Sequence, residues 1–440
     1  MRISPIRSET GDHHLLASKI RFLLYCHDTF GLGHVRRTLS LATHFTATLP
    51  NAEVLIVTGS PLAHAFTLPP RTDYIKLPAV TKMSNGAYRA RSLDMEFAAI
   101  RDLRMTMLRD IAQAYRPNVF LVDHAPQGLK GEALPALAML RATQPECLRV
   151  LGLRDIIDAG SLIQRTWAQE GVYETLEHGY DLILVYGSQQ LYDIGEEYAL
   201  PATVERRVRY CGYLDRMEET CPTDEATPTD LHLLALRHAL LPPVDRLVVL
   251  TAGGGGDGFP LMRAYLLGLQ QLPSIPFVSV LVTGPLMDAD EQRELHELAA
   301  TFPVEKVRIE SFLPDPLPLL SAADLVVSMA GYNTICELLA LRQRVLLVPR
   351  ATPRQEQLIR ASLLARQGLA HMLHPEQVTP ERLMDSVQQS LSQPRPHEGQ
   401  LAAVGISFQG QTLARQAIVD GLYSLHDRQW RADRVIAHVS

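Results

Sequence analysis

His34 closes the run His27-Asp28-Thr29-Phe30-Gly31-Leu32-Gly33-His34-Val35-Arg36-Arg37, which follows a β-rich segment at 20–26. A helix predicted over 35–48 puts this imidazole at a helix start, above the end of the first strand. The helix N-terminus disfavours the imidazolium, so His34 is expected neutral and able to take a proton from a hydroxyl or a water. Asp28 and Asp123 are rival bases, or partners that orient the ring. A second glycine loop, Thr251-Ala252-Gly253-Gly254-Gly255-Gly256-Asp257-Gly258, separates a strand from a helix predicted over 259–272. Glycines let backbone approach a phosphate closely and present N–H groups to it. Four consecutive glycines are costly to order, which favours ligand binding over a plain turn. A dinucleotide motif would place an acid at the next strand end, but that strand runs into Thr283-Gly284-Pro285; no Gly-Lys-Ser/Thr follows either, so a nucleotide-hydrolysing loop is excluded.

The stretch 321–357 supplies a third feature. Leu325, Val326 and Val327 read as a buried strand, Ala330-Gly331-Tyr332-Asn333-Thr334 as a turn, Ile335 onward as a helix, and 345–348 as a second strand. Strand, loop, helix, strand is a parallel βαβ unit, whose ligands sit where loops leave the carboxyl ends of the strands. Free N–H groups at the helix start suit a phosphate or diphosphate. Thr334 and Glu337 fit a capping box; the competing role for Glu337 is to hold two ribose hydroxyls. Asp288-Ala289-Asp290 resembles a metal–diphosphate motif, but first-turn acids of a helix explain it well. Arg350, Arg354 and Arg360 flank a strand end and suit either a phosphate or a solvated face.

The chain that must position these groups has 440 residues, 46% hydrophobic and 20% charged, enough for two domains with sizeable cores. A net charge of −6 argues against nucleic acid as partner. Cys26, Cys147, Cys211, Cys221 and Cys336 lie far apart without a CxxC pair, which fits a reducing cytoplasm and neither a zinc knuckle nor a disulfide framework. The polar N-terminus lacks an apolar signal core, and no run approaches the roughly 20 apolar residues that cross a bilayer. Peripheral membrane contact, at the inner face, stays open.

The expected organisation is a flexible tail (1–18), a first Rossmann-like domain (19–214), a linker region rich in Glu, Thr, Pro and Asp (215–245), a second Rossmann-like domain (246–395), and C-terminal helices (396–440). The polar segment 82–90 reads as an exposed loop. The fold class is α/β, two Rossmann-like domains facing a central cleft.

With these residues in hand, the chain resembles glycosyltransferases of the GT-B architecture, and most of all the family-28 type. The resemblance is strongest over 323–370, in ADLVVS, the glycine of AGYNT, Thr334, Glu337, ELLAL, VLLVP and Gln357, and weaker in the GLGH loop at Gly31–His34. It implies that the second domain binds a nucleotide-sugar, most simply UDP-linked. Gly253, Gly254, Gly255, Gly331, Tyr332, Asn333 and Thr334 would surround the diphosphate and Glu337 the ribose. Phe312 and Leu313 would lie by the base, and Arg354, Glu356 and Gln357 by the sugar. It also implies that Gly31, Gly33 and Arg36 lie on the acceptor side, and that His34 is the base of an inverting displacement needing no metal and no cofactor. The acceptor would be a hydroxyl on a glycan, a lipid-linked or a small molecule; the segment 82–91 suits an acceptor-side loop. In the crossed-over form of this architecture the C-terminal helices return to the first domain. Three departures leave the donor sugar open: Gly255-Gly256-Asp257 where Ser-Gln is usual, Glu356 in place of a first glutamine, and Arg360 in place of an asparagine. The form Gly33-His34-Val35-Arg36-Arg37 also resembles a UDP-sugar hydrolase of the same architecture. A catalytically inactive nucleotide-sugar-binding protein is the third alternative.

Overall fold

The computed structural model describes residues 18–27, 33–83, 87–214, 246–313 and 315–437. The expected linker at 215–245, most of the tail, and the site candidates Asp28 and Gly31 lie outside the described residues.

Among the described residues nine strands precede position 215: β1 (Ile20–Cys26), β2 (Ala52–Thr58), β3 (Thr72–Lys76), β4 (Val80–Lys82), β5 (Tyr88–Ala90), β6 (Val119–Asp123), β7 (Leu148–Arg154), β8 (Leu182–Tyr186) and β9 (Val208–Tyr210). Seven form one parallel sheet in the order β3-β2-β1-β6-β7-β8-β9. Six strands follow: β10 (Arg246–Thr251), β11 (Phe277–Val282), β12 (Val307–Glu310), β13 (Leu325–Ser328), β14 (Val345–Leu347) and β15 (His371–Met372). They form a second parallel sheet in the order β12-β11-β10-β13-β14-β15. Both orders reverse direction beside their first strand, β1 or β10, and so open a crevice above its carboxyl end. The central strands are continuous apolar runs because helices cover both faces; Leu247, Val248, Val249 and Leu250 are fully buried.

The segment 82–90 departs from its expected loop. β4 and β5 pair as a short antiparallel hairpin. Tyr88 stacks on Phe97 at 5.5 Å, and a small cluster of Val80, Ala90, Ile100 and Leu129 holds the hairpin to the first domain. Strands of three residues with polar faces leave too short a pattern to read from sequence.

The last helix, Gly410–Ala437, lies against β7, β8 and the Gly33–Thr48 helix. Gln411 Nε2 donates to Ser40 Oγ at 3.0 Å, and backbone bonds join Tyr213 to Ser407 and Gly410. Ile418 and Leu422 enter the same apolar cluster as Phe22 and Leu148.

The two halves meet through a buried contact. Arg360, on the Glu356–Arg366 helix, pairs with Asp155 just beyond β7 through two hydrogen bonds of 2.7 and 2.9 Å. Its third bond goes to Ala330 O at 2.8 Å. Arg360 therefore joins the domains, and neither a phosphate nor a solvated face receives it. Tyr332 is buried between Arg37 and Arg360, whose guanidinium carbons lie 5.6 and 5.8 Å from its ring centre. Its hydroxyl donates to Tyr186 O at 2.9 Å.

Candidate active site

A cleft of about 260 Å³ lies between the domains, lined by both glycine-loop regions and by the start of the Tyr332–Ala340 helix. His34 lines it from the first domain. The Gly33–Thr48 helix begins two residues before the expected 35, so His34 occupies its first turn. Asp123, the last residue of β6, sits beneath it. His34 Nδ1 is 2.6 Å from Asp123 Oδ2, while Arg37, one turn along the same helix, binds both Asp123 oxygens at 2.6 and 2.7 Å. Burial alone would raise the Asp123 carboxyl; Arg37, and then His34, outweigh burial and hold it far below the usual carboxylate range. An ionised Asp123 only accepts, so Nδ1 carries the proton and Nε2 keeps its lone pair. Arg37 Nη2 also lies 3.1 Å from Nδ1, but two donors form no bond, and the carboxylate contact decides the tautomer.

On the opposite wall, the Tyr332–Ala340 helix starts at Gly331 without a side-chain cap. Ile335 N is the first helical donor, bonded to Gly331 O at 2.9 Å. The N–H groups of Tyr332, Asn333 and Thr334 precede it and have no intrahelical acceptor. Thr334 is therefore the third helical residue rather than the cap, and the capping box with Glu337 does not form. Glu337, one turn further, is 7% exposed and lines the cleft. Gly331 has an ordinary φ of −62, and a Cβ there would meet nothing within 4 Å.

The loops after β10 and β11 interlock. Gly255 (φ +93) and Gly284 (φ +89) take left-handed backbone, and a Cβ on Gly255 would lie 2.2 Å from Thr283 O. Leu286 N bonds Gly254 O at 2.9 Å. Gly253, at φ +63, faces open space. Asp257 turns to Arg350, 2.7 Å away. Arg350 also binds Glu356 at 3.0 Å, and Arg350 N donates to Gln357 Oε1 at 3.3 Å. Asp288 caps the Ala289–Ala299 helix by accepting from Asp290 N at 2.8 Å, the bland alternative to a metal motif.

The cleft thus gathers Gly33, His34, Arg36, Gly253, Gly254, Gly255, Phe312, Leu313, Gly331, Tyr332, Asn333, Thr334, Glu337, Glu356 and Gln357. The Tyr332 hydroxyl is taken by Tyr186 O; Glu356 gives Oε1 to Arg350 while its Oε2 is buried without a hydrogen-bond partner, and Arg354 is not on the lining. Sequence reading missed Arg37 as the counterion of Asp123. It also missed Arg154, which ends β7 and enters the cleft; its position after the apolar run 150–153 was the available signal.

Residues 248–409 match the glycosyltransferase family 28 C-terminal domain. A stretch of 81 residues is 42% identical to the UDP-N-acetylglucosamine–N-acetylmuramyl-(pentapeptide) pyrophosphoryl-undecaprenol N-acetylglucosamine transferase of Shouchella clausii (strain KSM-K16), covering 18% of this chain and 23% of that protein. The chain therefore matches about a quarter of that relative's length. Among solved structures, TcCGT1 in complex with UDP aligns over 93% of this chain and 100% of its own, with TM-score 0.63 and 13% identity. MurG of Acinetobacter baumannii aligns over 92% and 99%, with TM-score 0.51 and 14% identity. The architecture is that of the GT-B glycosyltransferases, and the second domain is of the family-28 type.

Proposed function

We propose that this protein transfers a sugar from a nucleotide-sugar, most simply a UDP-sugar, to a hydroxyl acceptor with inversion at the anomeric carbon. One observation carries the reading: a histidine whose Nδ1 is held by an ionised aspartate shares a cleft with an uncapped helix start and two interlocked glycine loops. The acceptor hydroxyl gives its proton to His34 Nε2 as its oxygen bonds to the anomeric carbon. The bond from that carbon to the diphosphate oxygen breaks, and the charge left on the diphosphate is met by backbone N–H groups at 332–334 and along the glycine loops. Glu337 holds the ribose, and Gln357 and Glu356 face the sugar. The matched relative acts on a lipid-linked acceptor by its name, so work in the cytoplasm at the inner membrane face belongs to the same proposal. Among the described residues no helix is long and apolar enough to cross a membrane.

The test is thermal stability of the purified protein with UDP, dTDP, GDP and NAD, followed by incubation with the responding nucleotide-sugar. A ligand at 100 times its dissociation constant adds about 2.7 kcal/mol. A selective UDP response, then acceptor-dependent release of UDP with an inverted product, is expected. Response to NAD alone overturns the reading. UDP and free sugar formed equally fast without acceptor move it to hydrolysis.

A further inference from the structure

The short segment after β7 carries two buried acids, and both reach into the second domain. Asp155, 3% exposed, binds Arg360 Nε and Nη2 at 2.9 and 2.7 Å. Asp158, 4% exposed, accepts from the backbone N–H of Gln355 at 2.9 Å, just before the Glu356–Arg366 helix. An acid at a helix N-terminus is favourable. That helix has no side-chain cap of its own, and the first domain supplies this one. Neither acid lines the cleft.

Arg360 passes this contact on. Its Nη1 donates at 2.8 Å to the backbone oxygen of Ala330, the residue before the Gly331 start of the Tyr332–Ala340 helix. Ala330 is fully buried and has φ 63, a left-handed backbone that a side chain disfavours. Such a residue persists only where its surroundings over-determine it. A guanidinium is a rigid planar fork, so fixing two of its nitrogens on Asp155 fixes where the third bond points. Residues 332–334 follow, with the N–H groups that have no intrahelical acceptor. Tyr332 among them is held from the same two sides. Its ring centre lies 5.8 Å from the Arg360 guanidinium carbon, and the ring stacks on Tyr213 of the first domain at 6.2 Å. A buried ion pair carries a desolvation cost that apolar residues of similar volume would avoid, so stability alone does not account for this one.

We infer that Asp155 and Arg360 are positioning residues for the nucleotide: through this pair the first domain holds Ala330 in its left-handed turn and so aims the N–H groups of 332–334 into the cleft. Nucleotide affinity is thereby a property of both domains, although the helix start belongs to the second. This rests on the reading of that helix start as the diphosphate wall.

Calorimetry with UDP, urea denaturation and amide hydrogen exchange test it on the full chain, in wild type, Arg360→Lys and the double variant Asp155→Asn/Arg360→Met. The double variant removes both charges together, and its asparagine can still accept from Ile156 N, so its stability should stay near that of wild type. Its UDP affinity should nevertheless fall by about tenfold or more, because Ala330 O has lost its charged donor. Without nucleotide, exchange should quicken over 330–336 and stay unchanged in β10 and β13. Affinity lost while stability is kept is a result that a merely structural pair would not give. Arg360→Lys keeps the charge against Asp155 without the fork. It should remain folded and bind UDP more weakly than wild type, and it decides the matter where the double variant does not fold. Wild-type UDP affinity in the folded double variant, or in Arg360→Lys where that variant must decide, overturns the inference. If UDP has no effect on wild type, the transferase reading fails. Exchange over 330–336 then decides alone: faster exchange in the variants upholds the positioning of this turn by the first domain, and unchanged exchange refutes it.

Discussion

The side-chain amide of Asn333 donates to the backbone oxygen of Gly33 at 3.1 Å, joining the first turns of two helices that belong to different domains. The positive ends of both helices therefore meet over one cleft. The contact engages one N–H of the Asn333 amide and leaves its Oδ1 and backbone N–H at the cleft.

Replacing His34 by Ala should remove turnover while leaving UDP affinity within about twofold, because the nucleotide wall is in the other domain. General-base loss of this kind costs on the order of 10²–10⁴ in kcat. Single-turnover kinetics beside calorimetry with UDP check it; normal turnover refutes the base.

Asp123→Asn should act twice. It frees the His34 tautomer, lowering kcat by a factor on the order of 10²–10⁴. It also leaves Arg37 buried without its carboxylate, for about 3–5 kcal/mol of stability. Urea denaturation measures the second, and adding Arg37→Met should recover stability without recovering activity.

Gly331 offers a sharper probe of the donor site. Its φ of −62 and the open space at its Cβ position mean that the protein alone has no need of glycine there. Gly331→Ala should fold within about 1 kcal/mol of wild type, because the gain from a stiffer unfolded chain is offset by the poorer alanine at a helix N-cap. Its UDP affinity should drop at least tenfold as the methyl fills ligand space. Unchanged affinity would remove the diphosphate from this helix start. Glu337→Ala should likewise weaken UDP binding, and its helix start should lose no cap because the capping box is absent.

Acid should destabilise the protein earlier than carboxylates alone would cause. Burial, reinforced by His34 for His27 and by Arg154 for His124, holds both imidazoles well below their usual value. Above pH ~6.5 neither state binds the proton, so this contribution to stability is fully present. As pH falls below ~6.5 the unfolded chain takes up protons that the folded one refuses, and stability drops by up to about 1.4 kcal/mol per histidine per pH unit. Urea midpoints between pH 7.5 and 5.5 test it. His124→Asn, which suits the left-handed backbone there (φ 66), should roughly halve the slope.

Local patterning carried much of the architecture. Apolar runs such as 247–250 followed by glycines could hardly be anything but buried parallel strands feeding helices, and His34, Gly331 and Glu337 could be singled out by their place at strand ends. What stayed hidden depends on distance along the chain. The choice of Asp123 as the partner of His34 needs β6 beside β1. The role of Arg360 needs Asp155, 205 residues away. Thr334 and Glu337 satisfy a capping pattern in sequence, yet Gly331 starts the helix three residues earlier and voids it. Arg154 looked like one more charged residue after a strand, because its partner His124 lies 30 residues away at the end of a neighbouring strand.

The Gly410–Ala437 helix makes the first domain a product of two segments that the second domain separates. Ile418 and Leu422 complete a core begun by Phe22, and Gly421 lies so close to Leu148 that a methyl group would touch its side chain. During synthesis this domain therefore stays unfinished until Ile418 and Leu422 have emerged, with the second domain already made in between. Recombination that exchanges the second domain between relatives must accordingly cut the gene twice, once on each side of 246–395, since a single crossover would strip the first domain of its closing helix.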